Sequence, residues 1–385
     1  MLAVGVRRRM KIDLFRSFIL VFFVACSIHT DALSAAPSGN TLAAVKQPEL
    51  NSYTFITSHN EIIAKAKQEG GLRALVNMRP ANIAASADAF RKRYPFIKLD
   101  VKEATGTENA QRLLLELKTL GRAANWDIID ISSDFFSQFV PLLMKVDVLG
   151  MAQKRVLQIP TAMIDSINRN IVAFSSRFTV TIYSKTLLPA SQIPKTWEDL
   201  LKPELKGKKF AVDIRPTEIA AMVPAWGLES TLEFARKIKE QDPIWVRGST
   251  RTMAAILAGE IPMMVGPNWH NMKEYEPKDP TGVLRYAILE PTPVRFGNRQ
   301  AILAGTPHLH TALLWLEWMA SEEAQRITDE KEPLASSIYV RGGAVEGELK
   351  GKKLSVVGWE EEQFLDGWQA KVVEAYGFPK AGSGK

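Results

Sequence analysis

The chain has 385 residues, 46% hydrophobic and 24% charged, an ordinary balance for a soluble globular protein and more chain than one core holds, so two domains are expected. A formal charge of +7 arises from Lys and Arg scattered without the interleaved basic and aromatic pattern of a nucleic-acid surface, which excludes that class of partner. With Cys26 as the single cysteine, a disulfide-held fold is excluded too.

At the N-terminus, Arg7, Arg8, Arg9, Lys11 and Arg16 precede the apolar run FILVFFVACSI and the small-residue exit ALSAA. This is the pattern of an export signal over residues 1–35, with Met10 an alternative start. Removing that segment takes away five basic and two acidic residues and lowers the formal charge from +7 to +4. Lipidation at Cys26 is the competing reading, disfavoured by Phe23 at the third position before it. Residues 36–52 are small, polar and broken by Pro, so a flexible leader is expected there.

Residues 72–78 (LRALVNM) read as a buried strand after Gly70-Gly71, and Ile83, Ala87, Phe90 and Tyr94 follow at helical spacing. Residues 97–101 (IKLDV) alternate as a strand does. Ala110, Leu113, Leu114, Leu117 and Leu120 mark a one-faced helix ending near Gly121, and residues 127–131 (DIIDI) are a third strand. Strand, helix, strand, helix, strand predicts a parallel sheet with covering helices. In such sheets ligands sit at the carboxyl ends of strands, against helix N-termini that favour anions. Three loops meet that description, around Asn77 and Arg79, around Thr105, Thr107 and Glu108, and around Ser133. Ordinary helix capping accounts for any one of them, and their recurrence after three successive strands favours a site.

Residues 171–184 (IVAFSSRFTVTIYS) form one long β-rich segment leading into PKTWEDLLKPELKGK. In the latter, Thr196 and Asp199 have capping-box spacing, and Pro203 is expected to end a helix of about two turns. A second lobe then begins with the strand KKFAV, the loop Arg215, Pro216, Thr217 and Glu218, and a helix through Trp226. Leu232, Ala235 and Ile238 mark another helix, 253–257 a further one, and 261–265 (IPMMV) a strand whose end carries Asn268, Trp269 and His270. Strands are expected at 286–289 and 301–304. Helices are expected through Ala312, Leu316 and Met319, closed by SEEAQ, and through Leu365, Trp368, Val372 and Tyr376. Short basic runs at Lys206 to Lys209 and Lys350 to Lys353 read as solvated loop faces.

PKTWEDLLKPELKGK, LAGEIPMMVG and TPHLHTALLWLEWMASEEAQR occur here in that order, and together they resemble segments of the periplasmic solute-binding proteins of ABC importers, family one with type II topology, closest to the iron(III)-type branch. The resemblance covers residues 70–380. It implies an α/β fold of two hinge-connected lobes, each a central sheet flanked by helices, closing on a ligand between them. Carried onto this chain, one lobe would be 53–175 with 297–337 and the other 176–296 with 338–385. It further implies a periplasmic monomer that delivers a small solute to an inner-membrane permease, with no cofactor and no catalysis. Ferric members hold iron with two adjacent tyrosines after the strand matching IPMMV. Here that position reads Asn268, Trp269, His270, a poor donor set for hard Fe(III). Arg79 and Arg215 suit a carboxylate, phosphate or phosphonate instead, and Trp269 could stack on a flat or cationic ligand part. The expected solute is therefore anionic or metal-complexed, with no metal ligands assigned.

Two other classes stay open at this point. An exported hydrolase would need a nucleophile, base and acid, and no GxSxG, HExxH or phosphate-loop pattern is present. His59 stands alone, and the His308 and His310 pair falls where the family has a loop entering a helix. A two-lobed sensing adaptor would look the same in sequence.

Overall fold

The structure, a computed structural model, describes residues 52–378 apart from 105, 121–124 and 333–334. The export signal, most of the leader, Thr105 and the helix stop at Gly121 lie outside the described residues. Among the described residues ten strands form one continuous sheet path: β1 Gly71–Val76, β2 Lys98–Glu103, β3 Ile128–Asp130, β4 Ile171–Ser184, β5 Ala211–Asp213, β6 Ile244–Val246, β7 Met263–Asn268, β8 Leu284–Ala287, β9 Thr292–Ile302 and β10 Leu354–Val357. The strand order is β2-β1-β3-β9-β4-β7-β5-β6, with β10 against β9 and β8 against β4.

Both ends of that path are parallel, β1 with β2 and β3 on one side and β5 with β6 and β7 on the other, each joined through covering helices. The middle is antiparallel. The first half of β4 pairs with β9 from Ile171↔Ala301 to Phe178↔Val294, and its second half pairs with β7 and β8. β9 in turn pairs with β3 from Gln300 to Ile302 and with β10 from Thr292 to Arg295. Two antiparallel strands thus run from one sheet into the other, which is why β4 is long and buried along nearly its whole length.

The cores divide the same way. One cluster gathers Leu72, Phe90, Val172, Phe174, Trp315 and Trp318 with residues between 56 and 174 and between 302 and 340. Another gathers Trp197, Phe210, Phe234, Val265 and Tyr376, all from 188 onward. The fold is α/β and two-lobed, as the strand, helix, strand pattern of the first lobe led one to expect.

Three local readings change. PKTWEDLLKPELKGK forms two 3-10 turns, Glu198–Leu201 and Pro203–Leu205, because Pro203 opens a second turn at its first position where a longer helix was expected to end. Its capping box is present nonetheless: Asp199 accepts from Lys195 N and Thr196 N at 2.8 and 3.0 Å, and Asp199 N donates to Thr196 Oγ1 at 3.3 Å. SEEAQ starts the helix Glu322–Lys331, with Ser321 Oγ accepting from Ala324 N, so it does not close the one before. The helix through Trp226 is split into Thr217–Ala220 and Val223–Trp226, the second with a proline at its start. A helix at His59–Glu69, unmarked in the sequence reading, packs on Leu309–Met319.

Candidate solute site

The loops after β1 and β3, the N-terminus of helix Thr107–Leu120 and helix Trp269–Tyr275 converge on the β4/β9 crossing, where two adjoining cavities of about 280 and 270 Å3 open. Asn77, Arg177 and Asn298 line both. The cavity on the side of helix Trp269–Tyr275, here the outer one, adds Arg79, Ser176, His270, Glu274 and Glu332. The cavity on the side of helix Thr107–Leu120, here the inner one, adds Thr107, Asp130, Ser132, Ser133 and Arg299.

Register places the charges. Arg177 of β4 lies opposite Arg295 of β9, and Ser175 opposite Gly297, so Arg177, Arg295 and Arg299 follow one another on one face of the crossing. Like charges directly opposite on paired strands repel, and no hydrogen bond or ion pair joins the guanidinium of Arg177 or Arg295 to another described residue. Arg177 is the one exposed residue of β4. Its side chain opens into the cleft while protein surrounds that cleft, and this burial, with Arg299 nearby, lowers its pKa against the pull of Asp130. Burial, followed by Arg177, brings Arg295 down to about 10. Both remain cations at neutral pH. Gly297 is required by packing, since a Cβ there would lie 2.7 Å from Ser175 Oγ and 3.1 Å from Arg177 Nε.

Arg299 is 3% exposed and ties two distant segments together: Nη1 donates to Ser133 Oγ at 2.9 Å and Nη2 to Glu362 Oε1 at 2.5 Å, while Nε has no partner. Beside it, burial raises Asp130 to about 7, partly offset by Arg299 and Arg177, and its Oδ2 is also without a partner. His270 is held down to about 4, first by burial and then by Arg177 and Arg79, so it is a neutral imidazole at pH 7. On the same helix Glu274 pairs with the Arg79 guanidinium across the cleft. Glu332 Oε1 accepts from Arg79 N at 2.5 Å and from Asn82 Nδ2 at 3.1 Å.

Of the residues singled out in the sequence, Asn77, Arg79, Thr107, Ser133 and His270 are brought together at these cavities. Glu108 is exposed on the first helical turn, outside both. Arg215 is turned onto Asp213, which it meets through Nη2 at 3.0 Å and Nε at 3.2 Å, and Asp213 also accepts from Gly248 N. Thr217 donates to Gln369 Oε1 at 2.8 Å. Asn268 pairs with Thr179 in the sheet. Trp269 is buried at 2% exposure against Phe178 and Tyr286, so its ring is core rather than a stacking platform. His59, His308 and His310 each engage a carboxylate of the first lobe, Glu317, Asp127 and Glu69, at 2.7, 3.1 and 2.6 Å. Among the described residues no group of three or more His, Cys, Asp or Glu could hold a metal ion. The sequence reading missed Arg177, Arg295, Arg299 and Glu274. The signal available for the first was a lone cation inside an otherwise apolar β run.

Two α/β lobes on crossing strands, with a polar cavity at the crossing, define a solute receptor of the two-lobed kind. The sequence profile described as bacterial extracellular solute-binding protein matches residues 85–339, and the chain belongs to that family. An Fe(3+)-binding periplasmic protein of Serratia marcescens is 25% identical over 175 residues, which span 40% of this chain and 48% of that protein, so the match covers about half the length of this relative. A Trichodesmium protein solved with iron and citrate ligands superposes with a TM-score of 0.63 at 19% identity, over 80% of this chain and 100% of its own. Mannheimia haemolytica ferric iron-binding protein A, in an open conformation, gives 0.63 at 21% identity over the same shares. At these identities the structural likeness concerns the fold. Among the described residues no helix is long and apolar enough to cross a membrane.

Proposed function

We infer that this chain is the solute-capturing component of an ABC importer, a non-catalytic periplasmic receptor that closes on a small anion, free or as an anionic ferric chelate, and delivers it to a permease. Residues 53–175 with 297–337 would form one lobe and 176–296 with 338–385 the other, with β4 and β9 as the hinge. One observation carries the choice of ligand charge: Arg177 and Arg295 lie opposite each other across the hinge strands, and among the described residues no carboxylate is hydrogen-bonded or ion-paired to either guanidinium, Asp130, Glu332, Glu218 and Glu362 acting only at longer range. An oxyanion accepting from those guanidinium groups would relieve the repulsion and gain charge-assisted hydrogen bonds. Bare Fe(III) would meet that same field unfavourably, and His270 and Glu274 offer it few hard donors. The names of the relatives fit iron as cargo if an anionic chelator carries it.

The experiment is calorimetric titration of the chain lacking its first 35 residues with citrate, ferric citrate, inorganic phosphate and phosphonoacetate. At least one should bind, and Arg177→Met should weaken that binding at least tenfold, as loss of a charge-assisted bond worth about 1.5 to 3 kcal/mol requires. Unchanged affinity in the variant, with the fold intact by circular dichroism, would refute the reading.

A further inference from the structure

The two cavities carry unequal charge, and, resting on the reading of the cleft as an anion-capturing site, that asymmetry narrows the ligand class. At the inner end two guanidinium groups, Arg177 and Arg299, stand against Asp130, with Arg299 ion-paired to Glu362 and Arg295 opposite Arg177 in the sheet. There, too, the Nε of Arg299 is enclosed without an acceptor. The outer end holds both carboxylates: Glu274 and Glu332 stand with Arg79, whose guanidinium goes to Glu274 and whose backbone N–H goes to Glu332, and with the shared Arg177. His270 adds a ring without charge. Because Arg177 and Asn298 line both cavities, a molecule a few bonds long would reach from the positive end to the acidic one. A simple anion fills only the first, and a simple cation would have to sit beside Arg177.

We propose that the ligand is a small zwitterion, an amino carboxylate or aminophosphonate, whose oxyanion docks on Arg177 at the hinge and whose ammonium group docks between Glu332 and Glu274. Arg177 and Arg299 would draw the acidic end inward, and the two carboxylates would select for the amine. The ammonium end would then be held from both lobes, by Glu332 and by Glu274 on the helix that follows β7. Closure would couple to having both ends present.

Matched pairs test this on the chain lacking residues 1–35. ω-Aminoalkylphosphonates and ω-amino acids of two to five carbons are titrated beside the same compounds without the amine. In at least one pair the amine should raise affinity tenfold or more, and Glu332→Gln should level the pair; Glu274→Gln gives a second route should the first variant disturb the Arg79 loop. Phosphonate against carboxylate arms tell which head group is taken. Equal binding within every pair, or binding of citrate or ferric citrate alone, would overturn the zwitterion and leave the anion receptor standing. Failure of every anionic probe would overturn both.

Discussion

Glu218, at 4% exposure, is the carboxyl whose burial costs the protein most visibly. Its Oε1 has no hydrogen-bond partner, its side chain lies against Gly266, and burial raises it from its ordinary 4.5 to about 8, with Asp213 adding to the rise. A carboxyl raised on folding is protonated in the native state while the unfolded chain has already released its proton. Stability is therefore intact below about 4.5 and is lost as pH rises towards 8, at about 1.4 kcal/mol per pH unit. Between pH 5 and 8 the loss from this one group comes to about 3 to 4 kcal/mol, a large share of the 5 to 15 kcal/mol typical of a domain. Glu218→Gln keeps the shape and removes the titration. Urea unfolding followed by tryptophan fluorescence at pH 5, 6.5 and 8 should show the variant gaining on the parent by about that amount as pH rises. Parallel pH profiles would refute the argument, because they would mean that Glu218 is ionised or solvated in the folded protein.

His270 should act with the opposite sign: held at about 4 when folded, it resists the proton that the unfolded chain takes up below 6.5, so His270→Asn should flatten an acid-side loss of roughly 3 kcal/mol between pH 6.5 and 4, read from the same unfolding series. Gly266→Ala should destabilise by more than about 2 kcal/mol, because φ is +92° and an added Cβ would lie 2.3 Å from Glu218 Cγ; a neutral outcome in thermal unfolding would contradict the packing described. Trp197→Ala should cost about 3 to 5 kcal/mol, since the ring is 2% exposed against Trp226 and Phe234 and its Nε1 donates to Pro291 O at 2.9 Å, whereas Asp199→Ala, which removes the capping box and a surface ion pair with Lys202, should cost about 1 kcal/mol.

Much of the fold was legible because parallel sheets announce themselves. Apolar strand runs such as LRALV and DIID, separated by one-faced helices, admit few other architectures, and ligand loops at strand ends follow from that topology. Asn77, Arg79, Thr107, Ser133 and His270, which that rule singled out, all line the cavities. Arg215 satisfied the same rule and lies outside the cavities, for a reason close by in the chain: Asp213, two residues earlier, is within reach of a guanidinium that no partner strand constrains. A loop arginine with an aspartate at that spacing has a ready local partner. Trp269 failed differently, through tertiary packing against Phe178, which no local pattern encodes.

The hinge arginines show where a single sequence stops. Their significance depends on register, Arg177 against Arg295 and Ser175 against Gly297, and register between strands more than a hundred residues apart is set by the whole sheet. Read alone, SSR in β4 breaks an apolar run and FGNR in β9 resembles a turn. Only their pairing sets two isolated cations against each other beside the cleft. On the reading proposed above, an entering oxyanion would relieve that repulsion, so the residues that cost the hinge stability would be the ones that make closure depend on ligand. A receptor built this way needs no catalytic group and no resident metal to discriminate an occupied cleft from an empty one. Removing the repulsion with Arg295→Met should accordingly let the lobes close without solute, read as a smaller radius of gyration in X-ray scattering of the unliganded protein, and an unchanged radius would mean that the pair does not govern the hinge.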